Sequence, residues 1–137
     1  MKFRTDLITY MGIYKSIETE KLNLPTCEGR RTILANHMPI MIPLEIGVIE
    51  TNEDGILKHY VTDGGVVYFK ENVAQIIADS IIDVKEINVE EEMKEKAKEE
   101  EKLEKAKREN ERIRAKTKIE VAEIRLKAAK QFQNNEA

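Results

Sequence analysis

The sequence predicts an all-β sandwich or flattened barrel, followed by an α-helical hairpin or one extended helix. Two observations divide the 137 residues in this way. All six glycines and all three prolines lie at or before Gly65, so the strongest turn formers are confined to the first half of the chain. In residues 90–137, 27 of 48 residues are charged, and Glu, Lys, Ala and Arg favour helix. We therefore predict a β-sandwich domain at 1–86 and a helical domain at 87–137.

Short runs of β-branched and aromatic residues follow one another in the first domain. They end at turn signals, of which Asp54-Gly55 is typical of a tight hairpin. Further turns are predicted at 63–65 and 70–72. Strand runs bounded by regularly spaced turns are typical of a sandwich or a barrel. The predicted strands cover residues 3–9, 12–20, 21–24, 33–34, 46–51, 56–62, 66–69 and 73–78.

The second domain contains two helical patterns. Residues 90–110 have few apolar positions and several Glu-to-Lys or Glu-to-Arg pairs spaced four apart, each contributing a few tenths of a kcal/mol. Residues 111–137 carry two apolar stripes on nearly opposite sides of a helix, Ile119-Ala122-Leu126-Ala129 and Val121-Ile124-Ala128-Phe132. Such a helix is expected to lie between two surfaces. Asn110 is the predicted hinge, because Asn tolerates a left-handed turn. The alternative is one helix over 90–132, roughly 60–65 Å long.

Composition and charge argue against several classes of protein. The net charge of −3 is not the basic surplus that is typical of a nucleic-acid binder. The longest apolar run, at 38–44, is short and broken by prolines, so we expect no membrane insertion. Charges at positions 2, 4 and 6 interrupt any early apolar stretch of the kind a signal peptide needs. A single cysteine, Cys27, closes neither an intrachain disulfide nor a zinc site, which favours a reducing compartment.

An enzymatic function has little support in the sequence. Cys27, His37 and His59 are the only cysteine and histidines, and no nucleophile-elbow, phosphate-loop or metal-ligand spacing accompanies them. We therefore predict no catalytic residues, no metal site and no cofactor. His37 is expected either to contact a partner or to cap its loop, and His59 to be an ordinary strand residue. A structural alternative is a sandwich scaffold that dimerises through a coiled-coil tail, although the tail lacks sustained heptads.

Several short motifs occur in an order that is shared with one known family. They are Leu22-Asn-Leu-Pro-Thr26, Glu28-Gly29, Ile33-Leu34 before Asn36-His37-Met38-Pro39, Gly47-Val48, Gly64-Gly65-Val66-Val67, and Asn72-Val73 before Ile77-Ala78-Asp79. In order, spacing and overall plan, the chain resembles the epsilon subunit of F-type ATP synthases. The resemblance implies a non-catalytic subunit of a rotary motor, peripheral on the cytoplasmic face of the cell membrane.

The resemblance also implies partners. The β domain would bind the gamma subunit of the rotor and sit on the c-ring or its equivalent, whereas the helices would fold onto the sandwich or reach the alpha/beta catalytic head and hinder ATP hydrolysis. The residues that would contact the gamma subunit or the ring are Glu28, Arg30, Arg31, Asn36, His37 and Met38. The basic residues that would contact the catalytic head are Arg112, Arg114, Lys116, Lys118, Arg125 and Lys127.

One departure from the family pattern lies in the loop that faces the ring. Many relatives have an acidic residue after Glu28-Gly29, where this chain has Arg30 and Arg31. Opposite an arginine of the ring, this exchange would replace attraction by repulsion. One interpretation is that both arginines are solvated or pair with local acids. The other is an altered partner, such as a variant rotary ATPase that is not seated on a standard proton ring.

A second departure concerns nucleotide binding. Some bacterial epsilon subunits bind ATP through an Ile-Asp-x-x-Arg-Ala motif and two arginines on the second helix. Here Asn88, Glu91 and Glu92 replace the Asp, the Arg and the Ala. On the second helix only Arg125 matches, while Val121 occupies the other arginine position. Because consecutive carboxylates repel a triphosphate, we do not expect ATP binding.

Overall fold

The computed structural model describes residues 1–133 as a β domain followed by two helices. Within these residues the strands are β1 (Phe3–Thr9), β2 (Gly12–Thr19), β3 (Lys21–Thr26), β4 (Gly29–Leu34), β5 (Ile40–Glu53), β6 (Ile56–Lys70), β7 (Val73–Ile77) and β8 (Ile81–Asp83). A 3-10 turn at Val84–Glu86 leads to α1 (Val89–Lys105) and α2 (Glu109–Phe132). The predicted fold class is confirmed. The last four residues of the predicted helical domain lie outside the described part of the chain.

The strands form one open sheet that folds over on itself. Its order is β2-β1-β7-β6-β5-β3-β4, and β8 pairs with β6. All pairs are antiparallel except β1 with β7. The long strand β6 pairs with β8 through residues 60–62 and with β7 through residues 66–70. A strand that bends and changes its partner brings two layers of a sheet face to face. The largest side chains of the buried core include Phe3, Leu7, Leu22, Leu24, Ile33, Ile49, Tyr60, Phe69 and Ile76.

The bend of β6 lies at Gly64 and Gly65, where the sequence predicts a turn between two strands. That prediction is wrong, because β6 continues through the glycines as one strand and pairs with β5 on both sides of Gly64. Their φ angles are +115° and +105°, which glycine adopts without steric cost. A Cβ atom at Gly65 would collide with the carbonyl oxygen of Ile77. Glycines therefore bend this strand rather than end it, and local sequence does not distinguish the two outcomes.

The first half of β5 is a second difference from the sequence prediction, which begins this strand at residue 46. Pro43 pairs with Val66 inside the strand. It lies outside the stretch of β5 that pairs with β3, which is Glu50 and Thr51. A proline is tolerated where its missing N–H is not required by a neighbouring strand. Edge position, which depends on the tertiary arrangement, therefore overrides the local proline signal.

The helices form a hairpin in which α2 lies between α1 on one side and β5 and β6 on the other. This arrangement is the one that two apolar stripes on one helix predict. The predicted hinge at Asn110 is wrong, because the helices are separated at 106–108 and Asn110 lies in the first turn of α2. Ala106 and Arg108 adopt extended backbone angles, which any residue can adopt. The break therefore needs no glycine or asparagine and leaves no strong signal in the sequence.

Candidate functional site

The loop between β4 and β5 carries three of the residues that are predicted to contact a partner. Asn36 has a φ of +66°, and its backbone N–H donates to Asn72 Oδ1 at 2.6 Å. In return, Asn72 Nδ2 donates to Asn36 Oδ1 at 2.8 Å. This reciprocal pair ties the loop to the turn between β6 and β7. His37 lies edge-on to Phe69 with ring centroids 6.0 Å apart, whereas Met38 is 76% exposed. The loop therefore presents Met38 from a fixed base.

Met38 precedes Pro39, which lines one shallow crevice with Met41, Tyr68 and Ile77. We call the exposed apolar side chains Met38, Met41, Tyr68 and Ile77 the methionine patch. Met41 pairs with Tyr68 across β5 and β6, and β7 contributes Ile77 beside them. These side chains are exposed, although they are large and apolar. A cluster of this kind is typical of a protein interaction surface. Sequence reasoning missed Met41, Tyr68 and Ile77, because sheet register alone brings them to one face.

Glu28 lies far from this patch, in the turn between β3 and β4. Thr26 shapes that turn: its hydroxyl donates to the carbonyl oxygen of Gly29 at 2.6 Å and accepts the N–H of Glu28 at 3.3 Å. Glu28 and Asn36 lie at opposite ends of β4, which corresponds to about 20 Å of extended chain. The six residues predicted to contact the gamma subunit or the ring thus fall into two separate groups.

Arg30 and Arg31 differ in their surroundings. Arg30 Nε donates to Asn23 Oδ1 at 2.6 Å, and its side chain lines a crevice beneath the end of α2 together with Glu50. Burial lowers the pKa of the Arg30 guanidinium, and the carboxylate of Glu50 partly opposes this shift. Arg31 is exposed and, because side chains alternate along a strand, points to the opposite face of β4. For Arg30, these contacts within the chain favour the interpretation in which the two arginines are solvated or pair with local acids.

The basic residues of α2 also separate into two kinds. Arg112, Arg114 and Lys116 are exposed along the first half of the helix. Lys118 and Lys127 are exposed as well: Lys118 Nζ lies 3.7 Å from Glu99 Oε1, and Lys127 lines the crevice that Arg30 shares. Arg125 is the exception, since only 20% of its side chain is exposed and Glu92 on α1 binds it. In this docked hairpin Arg125 is an internal contact rather than part of a basic surface.

The end of α2 packs against the sandwich in a second apolar cluster. The buried side chains of this cluster are Val61, Val84, Ile87, Ala128 and Ala129, and Val48, Ile82, Ile124 and Phe132 pack around them. His59, on β6, is only 6% exposed, and its ring stacks on that of Phe132. His59 Nε2 also lies 3.1 Å from Glu50 Oε2. The expectation that His59 is an ordinary strand residue is therefore wrong, because packing of α2 gives it a specific partner 73 residues away.

Neither metal ligation nor membrane spanning is supported within residues 1–133. In this part of the chain no three or more His, Cys, Asp or Glu side chains are grouped as a metal ion would require. None of the helices described there is long and apolar enough to cross a bilayer. The features that remain are surfaces: the methionine patch, the β3–β4 turn and the helical hairpin.

Comparison with known proteins agrees with the sandwich fold. Residues 2–84 match the family model described as ATP synthase, Delta/Epsilon chain, beta-sandwich domain. The chain belongs to this family. The ATP synthase epsilon chain of Symbiobacterium thermophilum is 31% identical over 117 residues, which are 85% of this chain and 84% of that one. The epsilon chain of Lactobacillus helveticus is 32% identical over 91 residues, 64% of this chain and 62% of that one. The chain thus spans about three fifths of the length of several curated family members that it matches.

Solved structures of ATP synthases contain the same fold. A chain of the Euglena gracilis mitochondrial enzyme superposes with a TM-score of 0.74 at 24% identity, covering 93% of this chain and 81% of that one. A chain from the central stalk and c-ring structure of the Tetrahymena thermophila enzyme gives a TM-score of 0.64 at 19% identity, covering 94% and 97%. At these identities the likeness establishes the fold alone. Because the coverage includes the helices, both domains of this family member share the arrangement.

The region that would correspond to the family's ATP motif has contacts of its own in this chain. Asn88 caps the N-terminus of α1, with its Oδ1 accepting the N–H of Glu91 at 3.1 Å. Glu92 Oε1 accepts a hydrogen bond from Arg125 at 2.9 Å. The one arginine that matches the motif therefore already has a carboxylate partner from the chain itself. In this region the docked hairpin is held by contacts of the chain itself.

Proposed function

We propose that this chain is the non-catalytic epsilon subunit in the central stalk of an F-type ATP synthase, peripheral at the cytoplasmic face of the cell membrane. Its role is to couple the rotor to the catalytic head and to regulate ATP hydrolysis through its helices. The observation that carries the proposal is the match of the sandwich to the family, combined with a helical hairpin docked on that sandwich. The site has no catalytic part in this proposal, so function depends on contacts with other subunits.

The gamma subunit is the proposed partner of the methionine patch. The patch supports this assignment because its side chains are apolar and exposed while its base is held by hydrogen bonds between Asn36 and Asn72. A preformed apolar surface binds with little loss of conformational entropy. The β3–β4 turn with Glu28, at the other end of β4, is the proposed contact with the c-ring or its equivalent.

Binding to the gamma subunit tests the first assignment. In the full chain, Met41→Asp and Tyr68→Asp each place a charge in the patch, and we expect the affinity for the isolated gamma subunit to fall at least about tenfold. Met93→Asp is the matched control, since Met93 on α1 is 59% exposed and Met41 is 58% exposed. Equal affinities for all three variants would refute the assignment of this surface. A chain of native sequence that does not bind the gamma subunit would refute the proposed function.

The alpha/beta catalytic head is the proposed partner of the helices when they leave the sandwich. Arg112, Arg114 and Lys116 are exposed while the hairpin is docked. They provide the first positive charge for an acidic loop of the catalytic beta subunits, which the family resemblance implies. Lys118 and Lys127 are exposed in the docked hairpin as well, and release would add Arg125 to this surface. The proposed effect on the head is a lower rate of ATP hydrolysis.

The rate of ATP hydrolysis by the reconstituted head, with the gamma subunit and the full chain, tests this role. We compare two variants that each lose three positive charges: R112Q/R114Q/K116Q on α2, and K94Q/K98Q/K107Q, whose residues are exposed on α1 and in the link to α2. Only with the first variant is the head expected to hydrolyse ATP faster than with the native chain, because the second variant keeps the contacting face. The same rate for both variants would refute a regulatory role of this face.

A further inference from the structure

The fully buried side chains that α2 contributes to its seam, by which we mean its contact with α1 and with the sandwich, are all small. The buried residues of α2 are Ala115, Ala122, Ala128 and Ala129. Apolar stabilisation grows with the area that is removed from water, so alanines contribute little each. Small side chains also interdigitate little with the facing elements, so they do little to fix the position of α2 along its axis. The placement of α2 therefore depends strongly on the polar contacts across the seam.

Arg125 makes contacts with both of the elements that flank α2. Its Nη1 donates to Glu92 Oε1 on α1 at 2.9 Å, and its Nη2 donates to Ser80 Oγ in the link between β7 and β8. Ser80 is itself tied to the bend of β6, because its N–H donates to Asp63 Oδ1 at 3.0 Å and its carbonyl oxygen accepts the N–H of Asp63 at 3.3 Å. One guanidinium thus joins α1, α2 and the sandwich.

The Arg125–Glu92 ion pair is mostly buried in the docked hairpin. Exposed side-chain fractions are 20% for Arg125 and 13% for Glu92. By contrast, Lys96 Nζ lies 3.6 Å from Glu123 Oε1 across the same two helices, with 34% and 54% of the side chains exposed. Removing one partner of a shielded ion pair costs more stability than removing one partner of an exposed pair, because the remaining charge stays buried away from water. The two ion pairs therefore differ in how strongly they depend on closure.

We propose that Arg125, Glu92 and Ser80 form a clasp that sets the balance between the docked and the released hairpin. The clasp closes with a carboxylate from the chain itself, so closure requires no added anion. Breaking either polar contact favours release of the helices while leaving the sandwich folded. The consequence for ATP hydrolysis rests on the proposed function, but the clasp is a property of the chain alone.

Amide hydrogen exchange of the isolated full-length chain tests the clasp. We expect E92Q and R125Q each to raise the exchange rates of α2 amides about tenfold or more, because local opening exposes this helix. S80A is expected to raise them as well, since it removes the contact with the sandwich. Amides of β1 and β6 should keep the rates of the native chain, which separates undocking from general loss of stability.

Two controls test whether burial and position decide the effect. E123Q removes the exposed pair across the same helices, and E91Q removes a neighbouring carboxylate that lies outside the clasp. Both should exchange like the native chain. In the double variant E92Q/R125Q the increase should be less than the product of the two single increases, because the partners share one contact. Unchanged α2 rates in E92Q and R125Q, or the same increase in E123Q, would overturn the proposal.

A second measurement separates the clasp from the proposed function. E92Q leaves all basic residues of α2 in place, so in the reconstituted head it is expected to lower the rate of ATP hydrolysis by freeing the helices. Faster α2 exchange together with a lower hydrolysis rate supports both proposals. Faster exchange with an unchanged hydrolysis rate keeps the clasp and refutes the regulatory role. An unchanged exchange rate refutes the clasp, whatever the hydrolysis rate.

Discussion

The imidazole ring of His59 stacks on the phenyl ring of Phe132, with centroids 3.7 Å apart and planes within 8° of parallel. One ring belongs to the central strand β6 and the other to the last turn of α2. Together with the Arg125 clasp, the stack fixes the second helix at two points along its length. The sandwich and the helices are therefore joined by specific contacts, and the seam can be tested residue by residue.

Truncation of the stacked ring should weaken the far end of the seam. We expect Phe132→Ala to lower the free energy of unfolding by about 2 kcal/mol, because a half-buried aromatic side chain loses its apolar contacts and its stacking partner. Urea unfolding measures this change. Met93→Ala, on the exposed face of α1, is the control and should change the stability by less than about 0.5 kcal/mol. Similar values for the two variants would contradict the assigned stack.

The bend of β6 predicts unequal effects of two glycine substitutions. Gly12 and Gly65 have nearly the same φ, +108° and +105°. A Cβ atom at Gly12 would meet open space, whereas one at Gly65 would collide with the carbonyl oxygen of Ile77. We expect Gly12→Ala to cost about 1–2 kcal/mol of stability through backbone strain alone. Gly65→Ala should cost at least about 2 kcal/mol more, or prevent folding. Equal melting temperatures for the two variants would contradict a close approach at the bend.

Ionisation of Tyr60 should reduce stability at alkaline pH. Burial raises the pKa of the Tyr60 phenol well above its usual value, and the nearby Glu53 carboxylate raises it further through its charge and a 3.0 Å hydrogen bond. Because the folded-state pKa lies above that of the unfolded chain, the stabilisation is complete below about pH 10 and is lost as the pH rises above this value.

Unfolding measured between pH 8 and pH 11 tests the Tyr60 prediction, with a decline approaching 1.4 kcal/mol per pH unit above about pH 10. Tyr60→Phe should show a smaller decline, because the substituted ring cannot ionise. Its stability at pH 8 is expected to be about 1 kcal/mol lower than that of the native chain, owing to the lost hydrogen bond. The same alkaline decline in both proteins would contradict the assignment to Tyr60.

Glu99 offers a contrast between removing a buried charge and removing its partner. Glu99 is 2% exposed on α1, and its Oε1 lies 3.5 Å from Lys102 Nζ and 3.7 Å from Lys118 Nζ without a hydrogen bond. We expect Glu99→Met to leave the free energy of unfolding unchanged or raise it by about 1 kcal/mol, because the desolvation cost disappears. Lys118→Met should lower it, since the carboxylate stays buried with one cation fewer. Thermal unfolding that ranks Glu99→Met below Lys118→Met would contradict this explanation.

Part of the interaction surface could be predicted from the sequence and part could not. The family resemblance predicts Asn36, His37 and Met38 as contact residues, and the structure places them in one loop with Met38 exposed. Met41 and Tyr68 extend that surface, but only strand register places these two side chains next to each other. Arg30 lines the crevice beneath α2, and its contact with the gamma subunit or the ring stays a prediction. Whether the two groups at the ends of β4 contact different subunits remains a prediction.

The sequence by itself determined the division into strands and helices. Glycine and proline act on backbone angles within a few residues, so their confinement to the first domain is a local signal. Runs of β-branched and aromatic residues between turn signals favour strands in the same local way. The hairpin at Asp54-Gly55 and the two apolar stripes of α2 are local in the same sense. Only the tertiary structure decided that Gly64 and Gly65 bend a strand, that the helix breaks before Asn110, and that Arg125 lies inside the seam. The bend and the position of Arg125 depend on neighbours far along the chain, and contacts at that distance leave no pattern in the residues on either side. The break at 106–108 uses extended angles that any residue can adopt, so it leaves no local signal either.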